Sequence, residues 1–171
     1  MPDRAVFEET YWEAYRNINQ HFARKTIEAM ASLRQVNLTN SWLYFSPGVC
    51  GDQDPDNVPI VWIHDYHLML AATTIRSMAE EKEIPCKIGF FLHIPFPSWD
   101  IMRIFPWSDE ILQGMLGCDM VGFHTEDYCI NFLDCCQRSL GCRVDRNKML
   151  IEHCGRTVMV KAMPIGIPYD R

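Results

Sequence analysis

Four short apolar runs, spaced by segments with helical signals, limit what this chain can fold into. They are Ile60-Val61-Trp62-Ile63, Ile88 to Leu92, Asp119 to Phe123 and Thr157 to Met163. The first two lack in–out alternation, which predicts strands buried on both faces. Between the runs lie three predicted helices. Leu68 to Glu81 is closed by Ile84-Pro85. Ser108 to about Gly117 opens with Asp109-Glu110 in its first turn. Thr125 to Leu140 ends at Gly141, a residue suited to a helix C-terminus. Val144 and Met149-Leu150-Ile151 mark two further short strands. Strand and helix in alternation predict an α/β fold with a parallel sheet.

Upstream, Tyr11, Tyr15, Ile18, Phe22, Met30 and Leu33 recur at helical spacing, predicting an amphipathic helix over 8–33 with that stripe inward. Residues 35–59 are rich in Asn, Asp, Pro and Gly and read as a long loop insertion.

The sequence has 171 residues, one domain by the usual prior, and carries 16 Lys and Arg against 22 Asp and Glu, net −6. That balance argues against a non-specific nucleic-acid binder, which needs cations to displace counterions. No stretch of roughly 18 apolar residues predicts a membrane span. The polar start, Met1-Pro2-Asp3-Arg4, is not a signal region. Eight cysteines occur without a CxxC pair, so neither a zinc ribbon nor a thioredoxin motif is supported. Several sit in apolar runs, where free Cys acts as a small hydrophobe. They are read as reduced, and the location as cytoplasmic.

Ligands of open α/β sheets bind beyond the carboxyl ends of the strands. The residues there are His64, Asp65, Tyr66 and His67 after the first run, His93, Ile94 and Pro95 after the second, His124 and Thr125 after the third, and Ile165, Gly166 and Ile167 after the last. Asp65 has two readings: a carboxylate accepting hydrogen bonds from sugar hydroxyls, or the N-cap of the helix beginning near Leu68. His93, held by the prolines that follow, is either a donor to a hydroxyl or developing charge or a satisfied core histidine. His64, Asp65 and His67 together admit a third reading, a metal-dependent hydrolase, although no further ligands stand at motif spacing. Neither GxGxxG nor GxxxxGK is present. Trp42, Trp99 and Trp107 are sugar platforms or packing residues.

Val61-Trp62-Ile63-His64-Asp65-Tyr66-His67-Leu68 resembles a hallmark of the trehalose-phosphate synthases (UDP-forming), as does Gly89-Phe90-Phe91-Leu92-His93-Ile94-Pro95-Phe96-Pro97. Asp119-Met120-Val121-Gly122-Phe123-His124-Thr125 is similar to the family's next strand, which usually has Gln at the position of His124. Pro164-Ile165-Gly166-Ile167 is similar to the end of the family's first domain, and Trp107-Ser108-Asp109-Glu110 resembles its insect-like branch.

The resemblance implies part of the first, acceptor-side domain of a GT-B fold: a partial Rossmann-like parallel sheet with flanking helices over 1–171. It implies transfer of glucose from UDP-glucose to glucose 6-phosphate with retention, with no metal or other cofactor and UDP-glucose as co-substrate. Asp65 and Tyr66 would bind the glucose 6-phosphate acceptor, His93 would be the catalytic residue at the donor glucose, and Ile94 would shape the pocket that selects the anomer. A C-terminal UDP-binding domain of the parent chain is the expected partner, so the segment alone is expected to be inactive. Neither nucleic acid nor membrane is expected as partner, and an oligomer is compatible. The alternatives are a non-catalytic binding or regulatory homologue, and the metal hydrolase.

Overall fold

The computed structural model describes residues 6–40 and 58–166. Helix α1 (Glu9–Asn40) precedes strand β1 (Ile60–His64), a single 3-10 turn (Tyr66–Leu68) and α2 (Ala71–Glu81). Then come β2 (Lys87–Phe91), α3 (Trp99–Met102), α4 (Ser108–Met115), β3 (Met120–Phe123), α5 (Glu126–Leu140), β4 (Arg143–Asp145), β5 (Leu150–His153) and β6 (Arg156–Ala162). The strands form one sheet in the order β1-β2-β3-β6-β5-β4.

The expected parallel sheet holds for the β1, β2, β3 and β6 pairings. The sheet as a whole is mixed, because β5 runs antiparallel to β6 and β4 antiparallel to β5. The reason is local. Cys154-Gly155, both at positive φ, make a tight turn that returns the chain beside β5, as two-residue hairpins require. Such a turn joins only antiparallel neighbours, whereas the parallel pairs need the longer helical crossovers.

Strand β2 is buried from Ile88 through Phe91, as the unalternating run predicts. Strand β1 departs from that expectation. It alternates, with Ile63 buried while Ile60 is 71% exposed and Trp62 and His64 are also open. It lies at one end of the strand order, so one of its faces has less cover. Beside it, Trp62 is in register with Gly89, and a Cβ there would lie 2.9 Å from the indole.

Helix α1 begins close to its expected start and continues past 33 to Asn40. Residues 35–40 are therefore helical, while the rest of the expected loop lies outside the described residues except for its last two. The buried face matches the predicted one only in part: Met30 is buried and Tyr15 packs against the core, as expected. Tyr11 is 70% exposed, and Ile18 and Phe22 are open as well; the inward residues are Trp12, Asn19, Ala23, Ile27 and Met30. Small Ala23 and polar Asn19 are inward because α1 lies against α2 and against the turn after β1. Close approach and hydrogen bonds outweigh side-chain apolarity along that stripe.

Helix α5 follows its sequence signals. Thr125 accepts a hydrogen bond from the Tyr128 amide, and Gly141 adopts the left-handed conformation at the other end. Cys129, Phe132, Leu133, Cys135 and Cys136 form its buried side. The seven described cysteines are free, six of them buried. Burial pushes the Cys129 thiol up to about 11 and that of Cys135 up to about 12, consistent with their expected role as inert core residues. Cys50 lies outside the described residues.

At the opposite rim from the strand carboxyl ends, Asp119 joins the sheet ends together. One carboxylate oxygen accepts from Arg76 at 2.7 Å and from the Ile88 amide at 2.7 Å, and the other lies 3.4 Å from Arg156. This part of the Asp119–Thr125 motif thus serves the fold.

Candidate functional site

The carboxyl ends of β1, β2 and β3 bring three predicted histidines together. His64 Nδ1 lies 3.0 Å from His93 Nε2, with the rings stacked at a centroid distance of 5.3 Å. The rings of His93 and His124 are 6.0 Å apart. Phe91 sits between them, meeting His93 at 4.8 Å and His124 at 5.0 Å edge to face. Phe91 reaches that place because its strand neighbour is Gly122, where a Cβ would lie 2.9 Å from the phenyl ring.

Asp65 follows β1 directly. Its amide donates to the Phe91 carbonyl at 2.8 Å, which prolongs the β1–β2 pairing by one step. Its backbone then turns to φ 67, ψ 173, a left-handed conformation that a residue with a Cβ rarely adopts. Its side chain caps nothing. Helix α2 starts farther along, at Ala71. Asp65 thus stands at the N-cap position of the 3-10 turn without its carboxylate making the capping bond. Oδ1 of Asp65 is buried and has no hydrogen-bond partner. Strain and an unsatisfied acceptor in one residue are costly, by about 1–3 kcal/mol each, and such features concentrate where a ligand is to be held.

The metal reading does not assemble. Among the described residues no group of three His, Cys, Asp or Glu side chains can hold an ion. His64 faces His93, and the His67 ring instead stacks on Tyr66 at 3.9 Å.

Tyr66 and Ile94, both about half exposed, border a largely apolar groove of about 350 Å³ with Trp12, Tyr15, Phe96 and Ile101. Trp107 stacks on Trp12 at 4.9 Å, and Trp99 packs against the core, so neither is a free sugar platform. Trp42 lies outside the described residues, as does Ile167; Ile165 and Gly166 are exposed at the end of the described chain.

Two residues of the region were not singled out as site residues. Tyr15 and Asn19, on α1, bond to the backbone just after Asp65. The sequence signal was available in one respect only: Asn19 is a polar residue within a helix whose neighbours four apart, Tyr15 and Ala23, also face inward.

The sequence profile of glycosyltransferase family 20 matches residues 1–171. The chain belongs to glycosyltransferase family 20. It is 39% identical over 170 residues to alpha,alpha-trehalose-phosphate synthase (UDP-forming) 1 of Aspergillus fumigatus, covering 99% of this chain and 28% of that one. In structure it is similar to the E. coli trehalose-6-phosphate protein bound with UDP-2-fluoro glucose, with a TM-score of 0.73, 28% identity, and coverage of 98% and 30%. It is likewise similar to the N-terminal domain of Candida albicans trehalose-6-phosphate phosphatase, with a TM-score of 0.71, 31% identity, and coverage of 98% and 29%. The chain spans less than a third of the length of each of these relatives. No helix among the described residues is long and apolar enough to cross a membrane.

Proposed function

We propose that this family 20 segment forms the acceptor-side wall of a UDP-glucose-dependent glucosyltransferase that makes trehalose phosphate from glucose 6-phosphate. The observation that carries the reading is Asp65: a buried, unpartnered carboxylate oxygen on a left-handed backbone at the strand rim. A sugar hydroxyl is a neutral donor of the right size to satisfy it. Tyr66 then lies near the acceptor phosphate. His93, its ring held by His64 and Phe91, contacts the donor glucose, and Ile94 shapes the pocket that selects the anomer.

Transfer leaves negative charge on the departing diphosphate, and stabilising that charge is the main electrostatic task of such a site. The rim positions 64–67, 93–95 and 124–125 include no Lys or Arg. We assign the groups that bind diphosphate to the part of the family fold that this chain does not span. No metal or cofactor enters this scheme. The similarity to a domain of a phosphatase favours one second reading, a binding or regulatory module that retains the acceptor rim.

An NMR titration of the chain with glucose 6-phosphate tests the acceptor role. Perturbations should centre on Asp65, Tyr66 and the histidine rim. Asp65→Asn should weaken binding by roughly tenfold to a hundredfold, since a hydrogen bond to a charged group is worth about 1.5–3 kcal/mol. A folded chain without binding at millimolar ligand refutes the reading. Transfer activity in a longer protein carrying this segment separates the enzyme from the binding module.

A further inference from the structure

After Asp65 the chain makes one 3-10 turn, Tyr66–Leu68, before α2. The Leu68 amide donates to the Asp65 carbonyl at 3.4 Å. Helix α1 adds side-chain bonds to this turn. The Tyr15 hydroxyl donates to the Tyr66 carbonyl at 2.6 Å and accepts from the Met69 amide at 3.1 Å. Asn19 Nδ2 donates to the His67 carbonyl at 3.1 Å, and its Oδ1 accepts from the Leu70 amide at 3.0 Å. Two side chains one helical turn apart thus satisfy four backbone groups of one turn. Asn19 is 1% exposed, the one buried polar residue among the described residues. Its second Nδ2 proton goes to the Tyr15 carbonyl at 2.9 Å, so the amide is fixed in orientation.

We infer that Tyr15 and Asn19 are positioning residues for sugar recognition, clamping the Asp65–Leu70 turn so that Asp65 and Tyr66 are held in the conformation the acceptor requires. The inference rests on the acceptor role of Asp65 proposed above. Asp65 sits at a backbone conformation that would relax if the turn were free, and a buried acceptor that relaxes outward is lost to a ligand. The clamp acts from below: it holds the backbone of Tyr66 while the ring of Tyr66 stays at the rim, stacked on His67. Burial pushes the Tyr15 phenol up to about 12, so it remains a donor throughout the neutral range. The cavity behind the turn is apolar, and the four groups have no better partner there.

The test uses the whole chain and three variants. Tyr15→Phe removes the hydroxyl while keeping the ring stacked on Trp12. Asn19→Asp keeps the acceptor for Leu70, removes the donors to the His67 and Tyr15 carbonyls and buries a carboxyl beside them. Its unfolding midpoint should therefore fall, and Tyr15→Phe carries the test if that variant does not fold. Glu110→Gln weakens the Arg16 contact that joins α1 to α4, keeps an oxygen for the Trp12 indole, and makes no contact with the turn. Amide exchange at Met69 and Leu70, the unfolding midpoint and the dissociation constant for glucose 6-phosphate are measured for each. Tyr15→Phe removes two hydrogen bonds to the turn; it should speed exchange at Met69 and raise the dissociation constant about threefold to tenfold, the part of that loss felt at Asp65. Asn19→Asp should raise it to a similar degree. Glu110→Gln should leave it unchanged even where the midpoint falls. Faster exchange with unchanged affinity overturns the inference and leaves the acceptor role standing, as does an equal loss of affinity in Glu110→Gln. A wild-type chain that is folded and binds no glucose 6-phosphate removes the acceptor role and the inference with it.

Discussion

Replacing Asp65 with glycine should stabilise the ligand-free chain while abolishing sugar binding. Two costs meet at this residue. Its backbone, at φ 67 and ψ 173, holds a side-chain-bearing residue in a region that costs about 1–3 kcal/mol. Its buried, unpartnered Oδ1 costs a further 1–3 kcal/mol or so. Glycine removes both. Against that gain stand the greater chain entropy of glycine in the unfolded state, about 0.5–1 kcal/mol, and the partial exposure of the residue, which lets solvent relieve part of the second cost. A net gain of about 1–3 kcal/mol is expected after these deductions. In a domain of this size each kcal/mol moves the melting temperature by about 2–4 °C. Urea unfolding measures it directly: the midpoint should rise at unchanged slope. Glucose 6-phosphate should raise the wild-type melting temperature by mass action and leave that of Asp65→Gly where it is. Asp65→Asn, which keeps a side chain on the same strained backbone, should stay close to the wild type in stability. A variant less stable than wild type would show that the carboxylate supports the fold, and the argument for a ligand site at Asp65 would fail.

Gly122→Ala should lower stability by about 1–3 kcal/mol through overpacking, because its Cβ would meet Phe91 at 2.9 Å and also the Met163 side chain; displaced Phe91 should weaken sugar binding as well, and a calorimetric scan with and without ligand reads both effects. Arg16 binds both oxygens of Glu110 and holds that carboxyl below its usual range. The unfolded chain therefore binds more protons there, so this contribution is present above about pH 4.3 and lost as the pH falls through the folded value; Glu110→Gln should flatten the acid limb of the stability curve. Among the described cysteines Cys154 is exposed, with His153 Nε2 3.4 Å from its sulfur, whereas burial raises the thiols of Cys118, Cys129, Cys135 and Cys136. Iodoacetamide mass mapping of the folded chain should find Cys154 modified well before those four.

What the sequence disclosed depended on whether the deciding interaction was local. Helix α5 was legible from end to end because Thr125 and Gly141 act within one turn of themselves. Burial of the unbroken apolar runs was legible for β2, which lies between two strands, and not for β1, whose equally apolar run stands at the end of the strand order. The inward face of α1 was legible only at Tyr15 and Met30, since Tyr11, Ile18 and Phe22 make a stripe as periodic as the one that is buried. The choice between the stripes was made by the turn after β1, whose backbone groups need Tyr15 and Asn19. That turn is some fifty positions away in sequence, and no periodicity encodes a partner so distant. β4 and β5 were found as strands but given no direction; that was set by two turns, Cys154-Gly155 between β5 and β6 and residues 146–149 between β4 and β5, where Asp145 accepts from the Asn147 and Lys148 amides. At the site, position alone left Asp65 divided between a cap and a ligand group. The unsatisfied oxygen speaks against the cap: a capping carboxylate is bonded to the helix it starts, whereas Oδ1 of Asp65 is bonded to nothing, and the ligand role is our proposal. A fold that also commits two α1 side chains to the backbone beside that residue is holding an unfavourable arrangement in place, and a ligand that completes it gives that arrangement a physical reason.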